Sequence, residues 1–101
     1  MTVHKALLAR LEAKQGQEAA VQDLLVSAVA LANQEARTKV WFALKLGPSS
    51  FGVFDAFADD AGRQAHLEGP IAQALMAKAP ELFSSAPSIV PVDLLGSKNQ
   101  A

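Results

Sequence analysis

The residues best suited to chemistry lie in one stretch of the chain, from Thr38 to Ile71. This stretch contains the only Trp, Trp41, most of the Phe residues, an Asp on a predicted strand, Asp55, and a His on a predicted helix, His66. His66 is the one side chain here that we expect to act as a base near neutral pH, because an unperturbed imidazole titrates at about pH 6.5. A nearby carboxylate could orient that imidazole or accept a hydroxyl proton. We therefore expect most polar and aromatic parts of any small-molecule site to come from this stretch.

Hydrophobic periodicity predicts a β-hairpin at the start of this stretch. Residues 38–46 alternate between two sets of side chains with the period of two that is typical of a strand. Residues 47–50, GPSS, have turn chemistry, since Gly permits positive φ and Pro fixes φ. Residues 51–58 complete the hairpin as its second strand.

The turn of this hairpin sets which residues face each other. A four-residue turn predicts that Trp41 lies near Phe57 and that Ala43 lies opposite Asp55. Because side chains alternate between the two faces of a sheet, positions 41, 55 and 57 would then share one face. The helix that follows returns over this face. We therefore expect an apolar cavity between sheet and helix, with these side chains in its wall and His66 turned towards it.

The segments before the hairpin predict one strand and one helix. Residues 3–13 are rich in apolar side chains on both faces, which favours a strand between two covering layers. Residues 17–35 have no Gly or Pro and carry a wide apolar stripe at helical spacing, so they predict a helix.

The segments after the hairpin predict a helical region and a last strand. Asp59 is well placed as the N-cap of a helix. Gly69-Pro70 interrupts this helix, and Pro80 is expected to open another short turn. Residues 88–95 are predicted to form the last strand, where Pro91 indicates an edge, a bulge or a strand end because it cannot donate to a ladder. Residues 97–101 resemble a frayed tail.

The element order β-α-β-β-α-β predicts an α+β fold of the ferredoxin-like type. It implies an antiparallel four-stranded sheet in the order 4-1-3-2, with both helices on one face. The other face would be bare in a monomer, and its apolar residues need a cover. We therefore expect a homodimer that packs through its sheet faces. The chain of 101 residues, 1–101, has the length of a single domain.

The composition excludes several classes of function. A formal net charge of −1 gives no basic footprint for nucleic acid. The absence of Cys excludes disulfides and zinc–thiolate sites, and no cluster of other ligands or nucleotide-binding loop is evident, so we expect no metal and no other cofactor. The longest apolar run, residues 24–32, is too short for a membrane span of about 20 residues. We expect a soluble, cytoplasmic protein.

The hairpin and the segment after it carry a family resemblance. A D-x-F-x-D-D motif begins at Asp55, and His66 follows nine residues after its Phe. Together with the strand and hairpin before it, this pattern resembles the antibiotic biosynthesis monooxygenase-like domains over residues 3–98. Residues 41–75 are most similar to a subgroup labelled quinol monooxygenases. The resemblance implies a dimeric α+β barrel that oxidises a small quinol or aromatic compound with O₂ and without metal or flavin.

The resemblance also implies roles for individual residues. Asp55 stands where the family commonly has a carboxylate, Phe57 where it has an aromatic residue, and His66 where it has a helical His. Ile71 replaces the second His or aromatic residue of many members, and the chain has no Tyr, which excludes a phenol donor.

A cofactor-free oxygenation needs a base, an anchor for an oxyanion, and a dry pocket. We predict His66 and Asp55 as the catalytic residues. The predicted substrate-binding residues are Trp41 and Phe57, which would enclose a flat ring, and Lys45 and Arg63, which would stabilise an oxyanion.

Each of these residues also has a structural alternative. His66 could bond a backbone carbonyl, and Asp55 could pair with Lys45, with Arg63 or with backbone donors. The two aromatic residues could belong to the core or to a dimer interface, and the two cations could be solvated. The alternative function is therefore a non-catalytic dimeric barrel that binds a small apolar ligand. The lack of Tyr favours this alternative, whereas the combination of Asp55 and His66 favours the enzyme.

Overall fold

The computed structural model describes residues 2–98, so residues 99–101 of the predicted tail lie outside the described residues. The elements follow the predicted order, with the second helical region divided at Gly69-Pro70 into two helices. The predicted α+β, ferredoxin-like fold is confirmed. The elements are β1 (Lys5–Glu12), α1 (Glu18–Gln34), β2 (Thr38–Lys45), β3 (Ser50–Phe57), α2 (Asp60–Leu67), α3 (Pro70–Leu82) and β4 (Ser88–Asp93).

The four strands form one antiparallel sheet in the order β2-β3-β1-β4. This is the predicted 4-1-3-2 order, read from the opposite edge of the sheet. Pro91 lies in β4 opposite Leu7, and β4 pairs with β1 alone. The prediction of an edge strand at Pro91 is therefore correct, since a residue without an N–H is tolerated at an edge.

The core lies between one face of the sheet and the helices. Alternate residues of β1 and β3 point towards the helices because side chains alternate along a strand. Helix α1 contributes a buried stripe with the spacing of an amphipathic helix. The buried residues of this stripe are Val21, Leu25, Ala28 and Ala32.

The opposite face of the sheet carries exposed apolar side chains. Phe42 of β2 is 57% exposed and Val90 of β4 is 45% exposed. Phe42 is paired with Phe54, and Val90 is paired with Leu8. Because paired residues share a face, these side chains form one apolar surface that we call the outer face. The predicted packing of two copies through this face stays a prediction.

The register of the β2–β3 hairpin differs from the predicted one. Trp41 lies opposite Asp55, and Ala43 lies opposite Val53. The predictions that Trp41 lies near Phe57 and that Ala43 faces Asp55 are therefore wrong by two residues. The error keeps every side chain on its predicted face, because two residues are one full period of a strand.

The turn of the hairpin explains this difference. The Ser50 carbonyl accepts hydrogen bonds from the Leu46 N–H at 2.8 Å and from the Gly47 N–H at 3.2 Å. Ser50 consequently joins β3 instead of the turn. The loop between the two strands is residues 46–49 instead of 47–50, which shifts the pairing along the hairpin.

The second helical region begins and divides as predicted. The Asp59 carboxylate caps α2 by accepting a hydrogen bond from the Gly62 N–H at 2.8 Å. Pro70 begins α3 at a position where a missing N–H costs nothing. Pro80 lies inside α3, so the prediction that it opens a separate turn is wrong. No helix within residues 2–98 has both the length and the apolar character needed to cross a membrane.

Candidate functional site

An apolar cavity lies between the inner face of the sheet and helices α2 and α3. The cavity encloses about 40 Å³, and the space reaches about 520 Å³ only when the open region at its mouth is included. Aliphatic side chains from the sheet and from α3 form most of its wall. The polar groups in the wall come from Trp41, Asp55 and His66.

Two elements bring these polar groups together. Asp55 lies in the interior of β3, between Leu7 of β1 and Trp41 of β2. His66 lies in the last turn of α2, which the Asp59 cap holds over the sheet. Both polar side chains are buried, with Asp55 2% and His66 7% exposed. Burial at this level requires specific hydrogen-bond partners.

The imidazole of His66 lies between two carboxylates. Its Nε2 is 3.0 Å from Asp55 Oδ2, and its Nδ1 is 2.7 Å from Glu35 Oε1. The Thr38 hydroxyl donates to the same Glu35 oxygen at 2.7 Å. The ring also packs against Phe57, with centroids 5.4 Å apart. We call the Asp55, His66 and Glu35 side chains the carboxylate–imidazole array.

This array favours the protonated imidazole. Burial lowers the pKa of His66, but the hydrogen bonds to Asp55 and Glu35 outweigh it and raise the pKa above its usual 6.5. A protonated ring can donate one N–H to each carboxylate. Both ring nitrogens are then donors, and neither has a free lone pair.

Some polar atoms of the site have no partner in the protein. Among residues 2–98, Trp41 Nε1, Asp55 Oδ1 and Glu35 Oε2 are buried without a hydrogen bond. The first two belong to residues that line the cavity, whereas Glu35 borders a separate cleft on the other side of His66. Two residues of the cavity wall therefore each carry a buried polar atom, one donor and one acceptor, that no group of residues 2–98 satisfies.

Comparison with known proteins places this geometry in a family. No protein-family model and no curated protein matches the chain. The solved structure of a protein of unknown function from Nitrosomonas europaea is 63% identical, with a TM-score of 0.96. The match covers 99% of this chain and 97% of that chain. The chain belongs to the same family as this Nitrosomonas protein.

More distant members of this fold carry functional names. A second Nitrosomonas europaea protein is 13% identical, with a TM-score of 0.81 and coverage of 91% of this chain and 99% of that chain. A Caulobacter crescentus protein is 15% identical, with a TM-score of 0.79 and coverage of 94% and 92%. Both are provisionally named antibiotic biosynthesis monooxygenases. The chain therefore has the antibiotic biosynthesis monooxygenase-like fold, whereas its assignment to the quinol subgroup is untested.

Phe57 of this family member does not line the cavity as we predicted. It is completely buried beneath His66, on the side of the sheet that faces α2. Position 57 is two residues beyond Asp55 along β3, so the register places Trp41 instead of Phe57 beside the carboxylate. Phe57 packs against the imidazole and not against a ligand.

Lys45 and Arg63 also lie away from the cavity. Lys45 is exposed, with Nζ 5.7 Å from the centroid of the Phe51 ring. The Arg63 guanidinium donates to the carbonyls of Ala6 and Val92, each at 3.3 Å, and to Asp60 Oδ1 at 3.0 Å. It connects α2 to the sheet and is not positioned to stabilise an oxyanion in the cavity.

Sequence reasoning missed Glu35 and Thr38. Glu35 is the C-cap of α1 and precedes His66 by 31 residues, so no local pattern connects them. One signal was available, because a carboxylate at the C-terminal end of a helix opposes the helix dipole. Such a residue needs a compensating partner, which here is His66.

The array does not form a metal site. Its two carboxylates contact opposite nitrogens of one imidazole and do not converge on a common point. Within residues 2–98, no group of three or more His, Cys, Asp or Glu side chains is arranged to hold a metal ion. What the array offers is a buried proton acceptor beside an apolar space.

Proposed function

We propose that the chain is a cytoplasmic, cofactor-independent monooxygenase that oxidises a small quinol or a related hydroxylated aromatic compound with O₂. The carboxylate–imidazole array in the wall of an apolar cavity carries this proposal. A buried ionic array is a poor means of stabilisation, since apolar residues of similar volume often serve as well or better. Perturbed titratable groups in a cavity are instead typical of functional sites.

The first step of the proposed reaction is removal of a proton from a substrate hydroxyl. Because both nitrogens of His66 face carboxylates, the acceptor available to the cavity is Asp55 Oδ1. This refines the hypothesis that His66 itself is the base. Asp55 receives the proton, and the His66 imidazolium at Oδ2 holds the carboxylate in place.

The later steps need no electron donor besides the substrate. The quinol anion passes one electron to O₂, and recombination of the two radicals forms a carbon–oxygen bond on the ring. Cleavage of the oxygen–oxygen bond then releases water, which takes its protons from the substrate, including the one that Asp55 held. For hydroquinone, one quinol and one O₂ give one hydroxybenzoquinone and one water. The substrate supplies all four electrons.

The alternative is a non-catalytic domain that binds a small apolar ligand. The mostly aliphatic wall and the absence of any Tyr favour this alternative. It needs the cavity but not the array, so variants of the array distinguish the two functions.

We expect wild-type protein to consume O₂ with a hydroquinone or naphthohydroquinone and to form the hydroxyquinone. His66→Ala should lower this rate by about 10²-fold or more, the lower end for loss of general-base catalysis, because it removes the imidazolium that holds the Asp55 base in place. Removal of the imidazolium leaves Asp55 and Glu35 without their cation, so the variant should be less stable, and its rate is measured at a temperature where it is folded. The matched control is His4→Ala, since His4 is the other His of the chain and is exposed.

The outcomes separate the possible roles. Unchanged turnover in His66→Ala would show that the array does not take part in the chemistry. Unfolding of His66→Ala, but not of His4→Ala, would show that His66 is structural. A wild type that binds quinols without oxidising them would support the binding function.

A further inference from the structure

Two neighbouring residues of the cavity wall carry a buried donor and a buried acceptor that have no partner among residues 2–98. Trp41 and Asp55 are directly paired across β2 and β3, on the face that lines the cavity. Residues paired in this way have Cβ atoms about 4.5–5.5 Å apart. A single small molecule can therefore contact both side chains.

Both groups are too buried to be left without a partner. Trp41 Nε1 and Asp55 Oδ1 are buried and make no hydrogen bond to any residue of the described range, 2–98. Buried polar atoms in proteins are almost always hydrogen-bonded. An indole N–H can only donate, and an ionised carboxylate can only accept. The missing partner must therefore supply an acceptor to Trp41 and a donor to Asp55.

The charge of the cavity wall adds a second requirement. The array contains Asp55, Glu35 and a single cation, His66. No Lys or Arg of the described residues lines the cavity. A carboxylate or phosphate on the ligand would therefore find no free cation in the wall that residues 2–98 form, and burying an unpaired charge in an apolar space is costly.

We propose that Trp41 is a specificity-determining residue whose N–H, together with Asp55 Oδ1, selects neutral ligands that carry both a hydroxyl donor and a separate acceptor. The inference rests on the cavity of the proposed function but does not require turnover. It assigns to Trp41 a polar role in addition to the apolar contact of its ring. A molecule with only a hydroxyl donor leaves the Trp41 N–H without an acceptor. A molecule with an anionic group places a charge in a wall where the described residues offer no free cation.

The test uses three probes under anaerobic conditions. 4-Methoxyphenol offers a donor and an acceptor, 4-ethylphenol replaces the acceptor oxygen by carbon, and 4-hydroxybenzoate carries a negative charge. Because Trp41 is the only Trp, its indole N–H gives a single unambiguous NMR signal. We expect 4-methoxyphenol to shift this signal downfield and 4-ethylphenol to leave it nearly unchanged. We expect 4-hydroxybenzoate to bind more weakly than either.

The Trp41→Phe variant provides an independent measurement. It keeps an aromatic ring and removes the N–H. The ratio of the 4-ethylphenol Kd to the 4-methoxyphenol Kd should fall by about three- to tenfold relative to wild type, as expected for one hydrogen bond. Using the ratio cancels changes in the shape of the cavity that affect both probes.

Several results would overturn the inference. These are equal indole shifts with both phenols, an unchanged ratio in Trp41→Phe, a preference for 4-hydroxybenzoate, or no binding of any probe. If the variant does not fold, the wild-type indole signal decides alone. A selective shift without quinol oxidation would refute the proposed reaction and leave this inference standing. Quinol oxidation without a selective shift would support the proposed reaction and refute this inference.

Discussion

At the scale of single residues, the site depends on where one imidazole finds its partners. A lone buried His would be neutral, because burial disfavours its charged form. Here the carboxylates of Asp55 and Glu35 reverse that tendency and raise the pKa of His66. The protonated ring then connects the cavity to the end of α1. His66 is in this respect a positioning partner of Asp55.

Glu35→Gln should lower the pKa of His66. The amide keeps an oxygen that can accept from Nδ1–H, but it removes one of the two negative charges that favour the imidazolium. Titration of the His66 ring by NMR measures the change. Glu68→Gln is the matched control, since Glu68 is an exposed carboxylate two residues from His66 in sequence. An unchanged His66 pKa in Glu35→Gln would contradict the role assigned to Glu35.

The same variant should change the dependence of stability on pH. Because the folded-state pKa of His66 is raised above 6.5, the array stabilises the fold fully below the unfolded pKa. This contribution is lost as pH rises through the folded pKa. The urea midpoint of the wild type should therefore decline from about pH 6.5 upward, and this decline should be smaller in Glu35→Gln.

At the scale of elements, the sequence predicts the type and order of the helices and strands better than it predicts the contacts between them. The period-two alternation of β2 and the apolar stripe of α1 are local properties, and both elements were predicted within one residue at each end. The hairpin register was missed because it depends on whether Ser50 joins the turn or the strand. Glu35 was missed because only the tertiary fold brings the C-terminal end of α1 to His66.

The N-cap of α2 should contribute to stability through the Asp59 side chain. Asp59→Ala removes the hydrogen bond to the Gly62 N–H and should cost about 1 kcal/mol of unfolding free energy. Asp59→Asn is the matched control, because Asn caps nearly as well as Asp. Urea unfolding compares the three proteins. Equal losses in both variants would point to the Asp59 charge, which lies 3.7 Å from Arg37, instead of to the cap.

At the scale of the whole molecule, the two faces of the sheet have different functions. The inner face forms the core and the cavity, with the mouth of the cavity near β4 and α3. The outer face carries apolar side chains that no element of the described chain covers. The period-two pattern predicts both faces, because each strand presents alternate residues to each side. The pattern alone does not identify what covers the outer face.

We propose that two copies of the chain pack outer face to outer face. Phe42 is 57% exposed, and a contiguous apolar surface of this kind is typical of an interface. A stable dimer buries about 1,200 Å² or more, which needs most of the sheet. Wild type should therefore sediment as a dimer at micromolar concentration, and Phe42→Glu should sediment as a folded monomer, because a carboxylate would be desolvated between the sheets. Val26→Glu is the matched control, since Val26 is 62% exposed on α1, away from the outer face, and this variant should stay dimeric. A wild-type monomer, or dissociation caused equally by both substitutions, would refute packing through this face.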